Sequence, residues 1–506
     1  MQIFTFSPFG YEGSLVTVEV DLRRGIPAID MVGLADGAVK ESRERMKAAL
    51  LNSGFEFPPE RILISLSPAD VKKEGAGFDL AIALAVLLAT KKEEISKGTC
   101  LVMGELELSG RIRPIRGVQA AVATALENGI TRCIVPSGNG AEASSVKGMK
   151  VFSASTLRNA YDALKQEDSF ILCATEYTNL DSTIEFNPVT PELEFADVLG
   201  QRELVRGLQI AAAGGHNLMA YGPPGCGKTL ALQKFQGLLP KLTTQEAHSV
   251  TRIYSLAGLM PQNQPSIKTP PFRIPHQSAS LEGIVGGGIN CRPGEISLAH
   301  NGVLFLDEAA EFRTSVLQAL RVPIECGKIT LSRAGRSTIY PAQFQLLIAS
   351  NPCPCGNFGA PGKICLCSAK SVEQYWKKFS APLLDRVDIR IPITNNATEK
   401  DNYSVSTETL RIDIKKAVHI QRTRQGKRNS RLTPEEIGKI CQLDSEAKDV
   451  LSNAVSLHGF SQRAISSCLK IARTIADMEE KEIISKKNIS EAIFYRKNEG
   501  GMTLFC

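Results

Sequence analysis

The segment Gly222-Pro-Pro-Gly-Cys-Gly-Lys-Thr229 constrains the fold of this chain more than any other feature. It follows residues 217–221, which are typical of a strand, and precedes residues 230–235, whose composition is typical of a helix. A strand, a glycine-rich loop and a helix in this order form a cradle where backbone N–H groups face phosphate oxygens. The segment therefore predicts an α/β fold with a P-loop, in which helices flank a parallel sheet.

Two side chains of this loop have separate chemical tasks. Lys228 is expected to reach the outer phosphates of ATP, and the hydroxyl of Thr229 is expected to ligate Mg²⁺. The backbone of the remaining residues supplies N–H donors, for which glycines allow the close approach. The predicted nucleotide-binding residues are Gly222, Pro223, Pro224, Gly225, Cys226, Gly227, Lys228 and Thr229.

A second motif, Gly302-Val-Leu-Phe-Leu-Asp-Glu308, places two carboxylates at the end of an apolar strand. Asp307 would hold Mg²⁺, directly or through water, and Glu308 would polarise the attacking water. An acidic turn after a buried strand is common by itself. After a P-loop in the same chain, it favours ATP hydrolysis.

Three further residues are candidates for a place at the γ-phosphate. Asn351 ends an apolar stretch and would orient the attacking water; the alternative is an asparagine that only forms a turn. Arg386 is a candidate arginine finger acting on the ATP of a neighbouring subunit, or else it forms a surface salt bridge with a neighbouring aspartate. Arg463 begins a C-terminal helix and would reach the phosphates, unless it is simply a surface arginine.

The composition divides the 506 residues into three folded parts. Residues 1–178 alternate segments typical of strands and helices, and the polar, proline-containing stretch 179–196 predicts a linker. Residues 197–395 are the predicted P-loop core. Residues 405–506 have a helical pattern and predict a C-terminal helical domain.

The sequence also limits the place where the protein works. The N-terminus lacks the basic and apolar stretches of a signal peptide. The longest apolar run, residues 80–89, is about half of a membrane span and therefore predicts a buried helix. We expect a cytoplasmic protein without membrane contact, whose 13 cysteines are mostly reduced thiols.

Four of these cysteines lie close together as two Cys-x-Cys pairs. Cys353, Cys355, Cys365 and Cys367 offer four soft ligands within a short loop, which suits a tetrahedral structural Zn²⁺. The usual spacing within a pair is two residues rather than one. The alternative is therefore four free thiols in a loop.

Five segments in the middle of the chain carry a resemblance to a known family. They are Pro271-Phe-Arg-Ile-Pro-His276, Ile284-Val-Gly-Gly-Gly288, Arg292-Pro-Gly-Glu-Ile-Ser-Leu-Ala-His300, Asn351-Pro-Cys-Pro-Cys-Gly356 and Pro382-Leu-Leu-Asp-Arg-Val-Asp388. In these segments the chain resembles the ComM/YifB-type magnesium-chelatase-like AAA+ ATPases, and the resemblance extends over the whole chain. It departs from the family at Ala309-Ala310, where Leu-Pro is usual, but this change removes no chemical group from the site.

The first part of the chain has a resemblance of its own. Residues 104–119 are similar to the proteolytic domain of Lon proteases, which uses a serine activated by a lysine. In this register the lysine position is Gln119, which cannot act as a base, and the serine region near residues 75–77 contains no serine. The resemblance implies an α+β Lon-protease-like domain of the ribosomal S5 domain 2-like type, whose protease chemistry is lost.

The main resemblance also implies an activity. It implies a homo-hexameric ring that uses ATP and Mg²⁺ to move along single-stranded or branched DNA, and that drives branch migration in recombination or natural transformation. The C-terminal part would then be the helical lid of the motor. Two alternatives remain open: a subunit that drives metal insertion by a magnesium chelatase, and a chaperone that remodels proteins.

Two basic segments are candidates for contact with DNA. Residues 328–341 predict a hairpin with Arg333 and Arg336 near its tip, which in related ring motors projects toward the central channel. Residues 411–431 carry eight Lys or Arg and one acidic residue, Asp413. This stretch predicts either a face that tracks phosphates or a solvated helix and loop.

Overall fold

The computed structural model describes residues 2–34, 36–73, 75–91, 98–173, 183–261, 263–288, 290–333, 336–358, 360, 362–393 and 403–497. Parts of the predicted boundaries, at residues 179–182 and 394–395, lie outside this range. Within it, no helix combines the length and the apolar character that crossing a membrane requires.

The first domain packs helices against a mixed sheet. Its strands are β1 (Gln2–Ser7), β2 (Ser14–Arg23), β3 (Ile29–Val32), β4 (Arg61–Ser67), β5 (Thr99–Val102), β6 (Glu105–Leu106), β7 (Ile112–Arg113), β8 (Arg132–Pro136), β9 (Lys150–Ala154) and β10 (Ile171–Leu172). Its helices are α1 (Gly37–Asn52), α2 (Asp79–Lys91), α3 (Val118–Glu127), α4 (Gly140–Ala143) and α5 (Leu157–Lys165). The main sheet has the order β10-β9-β8-β5-β1-β2-β4-β3. The apolar run of α2 is buried in this domain over residues 80–87, as its composition predicts.

The P-loop core is built on a parallel sheet with the order β12-β15-β18-β11-β19. The strands of the core are β11 (Leu218–Tyr221), β12 (Phe272–Arg273), β13 (Gly286–Gly287), β14 (Arg292–Pro293), β15 (Val303–Leu306), β16 (Lys328–Arg333), β17 (Arg336–Pro341), β18 (Gln345–Ser350) and β19 (Ile389–Pro392). Its helices are α6 (Arg202–Gly214), α7 (Lys228–Lys234), α8 (Thr244–Ala257), α9 (Leu281–Val285), α10 (Glu295–Leu298), α11 (Thr314–Ala319), α12 (Arg321–Cys326), α13 (Ala369–Lys377) and α14 (Ala381–Leu384).

The strand register brings the predicted motifs to one edge of this sheet. Tyr221 pairs with Ser350, and Leu306 pairs with Ile348, all in parallel strands. The carboxyl ends of β11, β15 and β18 therefore meet at the same edge. The P-loop, the two carboxylates and Asn351 follow these strands directly.

The C-terminal domain consists of helices that share an apolar core with the P-loop domain. These helices are α15 (Thr407–Gln425), α16 (Pro434–Ile440), α17 (Ser445–His458), α18 (Gln462–Met478) and α19 (Lys486–Lys497). Polar pairs add to the contact: the buried ring of His216 lies 2.8 Å from the hydroxyl of Thr474, and the partly exposed Arg206 donates to Glu491 at 2.8 Å.

The basic segment 411–431 differs from the expectation of a phosphate-tracking face. Most of its cations bind oxygens of their own chain, because the segment packs between the core and the other C-terminal helices. The partners are the backbone oxygen of Gly237 for Arg411, Glu480 for Lys416, the backbone oxygen of Lys241 for Arg422, Asp477 for Arg424, Glu436 for Lys427, the backbone oxygen of Ala213 for Arg428 and the backbone oxygen of Gln343 for Arg431. Four of these arginines, Arg411, Arg422, Arg428 and Arg431, bind backbone oxygens of the core, so the segment contributes to the contact between the two domains.

The first domain is docked on the core through α8 and the hairpin, which is formed by β16 and β17. The backbone N–H of Gly117 donates to the oxygen of Ser255 at 3.0 Å, and the hydroxyl of Ser255 donates to the buried carboxylate of Glu142 at 2.5 Å. Leu256 packs against the apolar cluster of the first domain. Both polar and apolar contacts therefore fix this domain to the core.

Candidate active site

A cavity of about 230 Å³ opens at the edge of the sheet where the three motifs meet. Loop backbone lines one side, and carboxylates and an amide line the other. The lining residues are Pro224, Gly225, Gly227, Lys228, Thr229, Leu230, Asp307, Glu308, Ala349, Ser350 and Asn351. The structure thus brings together the P-loop, both acidic residues and Asn351, as the sequence predicts.

The loop takes the backbone shape that its glycines permit. Gly225 and Gly227 have φ values of 83° and 76°, which side chains other than glycine rarely adopt. A Cβ on Gly222 would lie 2.2 Å from the backbone oxygen of Ile393. The backbone geometry therefore requires glycine at these three positions, where the loop turns tightly in front of α7.

Lys228 is nearly enclosed, with 7 % of its surface exposed. Its ammonium donates to the backbone oxygens of Gly222 and Pro223, both at 2.7 Å, and lies 3.5 Å from Oδ1 of Asn351. Burial lowers the pKa of Lys228. A polyphosphate in the cavity would supply the anionic partner that favours the charged ammonium.

The acidic motif continues the buried strand β15 into the cavity. The hydroxyl of Thr229 donates to Oδ1 of Asp307 at 3.0 Å, so the two predicted Mg²⁺ ligands are in contact. Glu308 has a φ of 48°, a rare conformation for a residue with a side chain, as is found at functional sites. The donor set of a hydroxyl and a carboxylate beside a phosphate cradle fits Mg²⁺, which prefers oxygen ligands.

Gln277 is a part of this site that the sequence analysis missed. Its amide donates to Oε2 of Glu308 at 2.5 Å. The residue directly follows the segment 271–276 that carries the resemblance, and that position is the only signal in the sequence. Gln277 thereby orients the carboxylate predicted to polarise water.

Arg386 and Arg463 do not line the cavity of their own chain. Instead, both guanidinium groups bind the carboxylate of Glu325 in α12. The predicted alternative for Arg386, a salt bridge to a neighbouring aspartate, is replaced by this contact with a more distant residue. Glu325 is the second residue that the sequence analysis missed, since an acidic residue on a short helix gives no signal by itself.

The comparisons with known proteins match the chain in three segments. The family described as "Magnesium chelatase, subunit ChlI" matches residues 194–401. "Subunit ChlI of Mg-chelatase" matches residues 18–139, and "Magnesium chelatase, subunit ChlI C-terminal" matches residues 404–496.

Two relatives match from end to end. The uncharacterized protein YifB of Escherichia coli K12 is 38 % identical over 501 residues, which are 98 % of this chain and 96 % of the relative. The competence protein ComM of Haemophilus influenzae is 38 % identical over 502 residues, which are 98 % of this chain and 97 % of the relative. The chain belongs to the ComM/YifB-type magnesium-chelatase-like proteins.

This membership confirms the predicted AAA+ fold class, with a helical C-terminal region. Together with the cavity, it indicates that this ComM/YifB-type protein uses ATP and Mg²⁺. A Lon protease of Clostridioides difficile is 28 % identical over 131 residues, which are 24 % of this chain and 16 % of the protease. A similarity to a Lon protease is therefore found, over about a quarter of this chain.

In the first domain of this ComM/YifB-type protein, the sequence predicts Gln119 at the position of the Lon lysine. Gln119 lies in α3 with 3 % of its surface exposed. Its backbone N–H donates to Glu142 at 2.9 Å, and its side-chain oxygen is buried without a hydrogen-bond partner among the described residues. The amide therefore fills an interior position of the first domain.

The four predicted zinc ligands of this ComM/YifB-type protein converge. The sulfur of Cys353 lies 3.4 Å from that of Cys355 and 3.6 Å from that of Cys365. All four sulfurs, including that of Cys367, are within 4.8 Å of one another. In a tetrahedral site with Zn–S bonds of about 2.3 Å, two sulfurs are about 3.8 Å apart. The four thiols therefore fit Zn²⁺.

The two arginines of the hairpin have different surroundings. Arg333 is exposed and lines a second cavity of about 440 Å³ between the hairpin and residues 281–288. Arg336 instead stacks its guanidinium on the ring of Phe9, 3.6 Å from the centroid. The expectation that both arginines face a shared channel is therefore changed for Arg336, because the first domain covers it.

Proposed function

We propose that the chain is an ATP-driven motor that moves DNA as a ring of six copies, and that branch migration in recombination or natural transformation is its reaction. The observation that carries this proposal is the end-to-end match with a competence protein, in a chain whose nucleotide cavity has its expected groups. An exposed arginine on the hairpin supports contact with phosphates.

In this proposal the cavity residues divide the hydrolysis between them. Lys228 binds the outer phosphates, Thr229 and Asp307 hold Mg²⁺, and Glu308 polarises the attacking water. Asn351 orients that water from the neighbouring strand. Arg386 and Arg463 complete the site of the adjacent subunit, since neither lines its own.

A structural Zn²⁺ at the four cysteines is part of the same proposal. The cluster directly follows Asn351 in the sequence, and Gly356 packs on the P-loop, because a Cβ at that position would lie 3.0 Å from Pro224. Zn²⁺ would supply no chemistry to ATP hydrolysis. It would hold a short loop in place against the nucleotide site.

A second candidate function is metal insertion by a chelatase, which the family descriptions favour. Both candidates use the same nucleotide cavity, and a protein-remodelling chaperone would use it too. They differ in the molecule that accelerates ATP hydrolysis. DNA is therefore the substrate that separates them.

The test measures the rate of ATP hydrolysis with single-stranded, duplex and branched DNA, at low salt and at raised salt. We expect DNA, most of all branched DNA, to raise the rate and the effect to weaken steeply with salt, because the contacts go to phosphates. Arg333→Ala should lose the stimulation and keep the basal rate. Arg23→Ala, which removes an equal charge from an exposed pair in the first domain, serves as control.

A nucleotide-bound ring that neither binds branched DNA at low salt nor hydrolyses ATP faster with it would contradict the proposal. The chelatase or chaperone function would then take its place.

A further inference from the structure

Two arginines from different domains converge on one carboxylate. Arg463, in α18 of the C-terminal domain, donates to Oε1 of Glu325 at 2.7 Å. Arg386, which follows α14 of the core, donates to Oε2 of the same residue. Each oxygen of Glu325 therefore holds one guanidinium, and the carboxylate bridges two domains.

This arrangement solves an electrostatic problem. Two guanidinium groups held this close repel each other, and the carboxylate between them offsets that repulsion. The hydrogen bond from Arg386 lowers the pKa of Glu325, so the bridge stays negatively charged near neutral pH.

The remaining contacts fix the direction of the two side chains. Arg386 also donates to the backbone oxygen of Pro382 at 2.6 Å, and 12 % of its side chain is exposed. Arg463 lies 3.7 Å from Asp385 and keeps 41 % exposure. With Glu325 itself 49 % exposed, the group forms part of the surface of the protomer.

We propose that Glu325 is a positioning residue that holds Arg386 and Arg463 together as one unit for the nucleotide of the adjacent subunit. The inference rests on the proposed action of Arg386 across a subunit interface. Glu325 does not touch the nucleotide. It sets the distance between two cations that do, and it ties the C-terminal domain to the finger.

The test uses mixtures of variants, because a group that acts across an interface can be supplied by a different subunit. The first mixture, Arg386→Ala with Lys228→Ala, tests the proposed finger. In a one-to-one mixture about a quarter of the interfaces pair an intact finger with an intact P-loop. We expect partial recovery of ATP hydrolysis.

The second mixture, Glu325→Ala with Lys228→Ala, tests the inference. Glu325→Ala alone should lower kcat about 10-fold or more and leave the KM for ATP unchanged. The conservative variant Glu325→Asp, which keeps the carboxylate, should recover activity. Mixed with Lys228→Ala it should recover, but mixed with Arg386→Ala it should not, since both changes damage the same side of the interface. Glu373→Ala, which breaks an exposed pair with Lys377, is the control and should hydrolyse ATP normally.

Each outcome decides a separate point. If the first mixture stays inactive while both variants assemble, the finger does not act in trans, and the inference about Glu325 falls with it. If only the second mixture stays inactive, or if Glu325→Ala complements Arg386→Ala, Glu325 acts elsewhere. Glu325→Gln, which keeps the shape of the side chain, repeats the test if the alanine variant has a lowered unfolding midpoint.

Discussion

Glu308 stands at the border of the nucleotide cavity in a strained backbone conformation, with a φ of 48°. Its N–H donates to Asp307 at 3.0 Å, and its carboxylate accepts from Gln277. These contacts separate its task from that of Asp307, which is next to Thr229. One carboxylate faces the metal position and the other remains available for water.

Glu308→Gln should therefore keep ATP binding and lose hydrolysis. The amide cannot polarise water, whereas Lys228 and Asp307 still bind the nucleotide, so turnover should fall on the order of 10²-fold or more. Steady-state kinetics and a nucleotide-binding titration measure the two effects separately. The control is Glu311→Gln, a change at a nearby exposed carboxylate, which should hydrolyse ATP normally. Near-normal hydrolysis by Glu308→Gln would show that Glu308 does not polarise the attacking water.

The site residues that could be predicted from the sequence are those that stand together in one local motif. Lys228 and Thr229 belong to one loop, and Asp307 and Glu308 end one strand. Glu325 could not be predicted in the same way, because its partners Arg386 and Arg463 are 61 and 138 positions away. No local pattern records a pair that only the tertiary fold brings together.

The distances between the four sulfurs of the cysteine cluster favour a bound metal more strongly than the Cys-x-Cys spacing in the sequence does. Purified protein should contain about one Zn²⁺ per chain by elemental analysis. Cys355→Ser should lose the metal and raise the KM for ATP, because the loop no longer supports the P-loop at Pro224. The control is Cys326→Ser, a change at an exposed cysteine outside the cluster, which should retain the Zn²⁺. A metal-free preparation with full activity would instead support four free thiols.

The two strands of the hairpin could be predicted from the sequence, but its contact with the first domain could not. Its register, from Lys328 opposite Pro341 to Arg333 opposite Arg336, follows from the alternating sequence. Its contact with the first domain joins positions far apart in the chain: the N–H of Tyr11 donates to the hydroxyl of Thr338 at 3.0 Å.

Phe9→Ala should release Arg336 from its aromatic partner. If the hairpin binds DNA, as proposed, the freed guanidinium should raise DNA affinity at low salt by a factor of about 2 to 10, within the range of one cation–π contact. The control is the same change in an Arg336→Ala background, which should have no effect on affinity. A loss of affinity in both backgrounds would show that Phe9 supports the hairpin rather than covers its charge.

At the scale of the whole molecule, the basic segment 411–431 contributes to the contact between the C-terminal domain and the core. One partner of its arginines in the core is the carboxylate of Glu246 in α8, which also accepts from the backbone N–H of Thr243 at 2.9 Å. Burial alone would raise the pKa of its carboxyl, but this hydrogen bond and the charges of Arg428, Arg422 and Arg431 lower it. Cations that the sequence predicts to face nucleic acid thus have partners within the chain, some of them carboxylates such as Glu246 and Asp477 and others backbone oxygens of the core.

Glu246→Gln should lower stability at neutral pH and have less effect in acid. The folded-state pKa lies below the unfolded value of about 4.3, so the carboxylate stabilises the fold above that pH and loses this effect as the pH falls through the folded-state pKa. We expect a cost of about 1 kcal/mol at pH 7. Unfolding midpoints of both proteins between pH 7 and pH 3 measure it, with the exposed Glu435→Gln as control; a gap that does not narrow in acid would contradict the assignment.

The contact of Tyr11 with Thr338 spans 327 positions, which gives it a meaning for the synthesis of the chain. A ribosome that adds about 5 to 20 residues per second needs on the order of tens of seconds to travel from one residue to the other. Throughout that interval the nascent first domain displays the rings of Phe9 and Tyr11 without the hairpin that later covers them. The α8 part of the joint between the two domains is synthesised earlier, so the hairpin part is the one that closes late in translation.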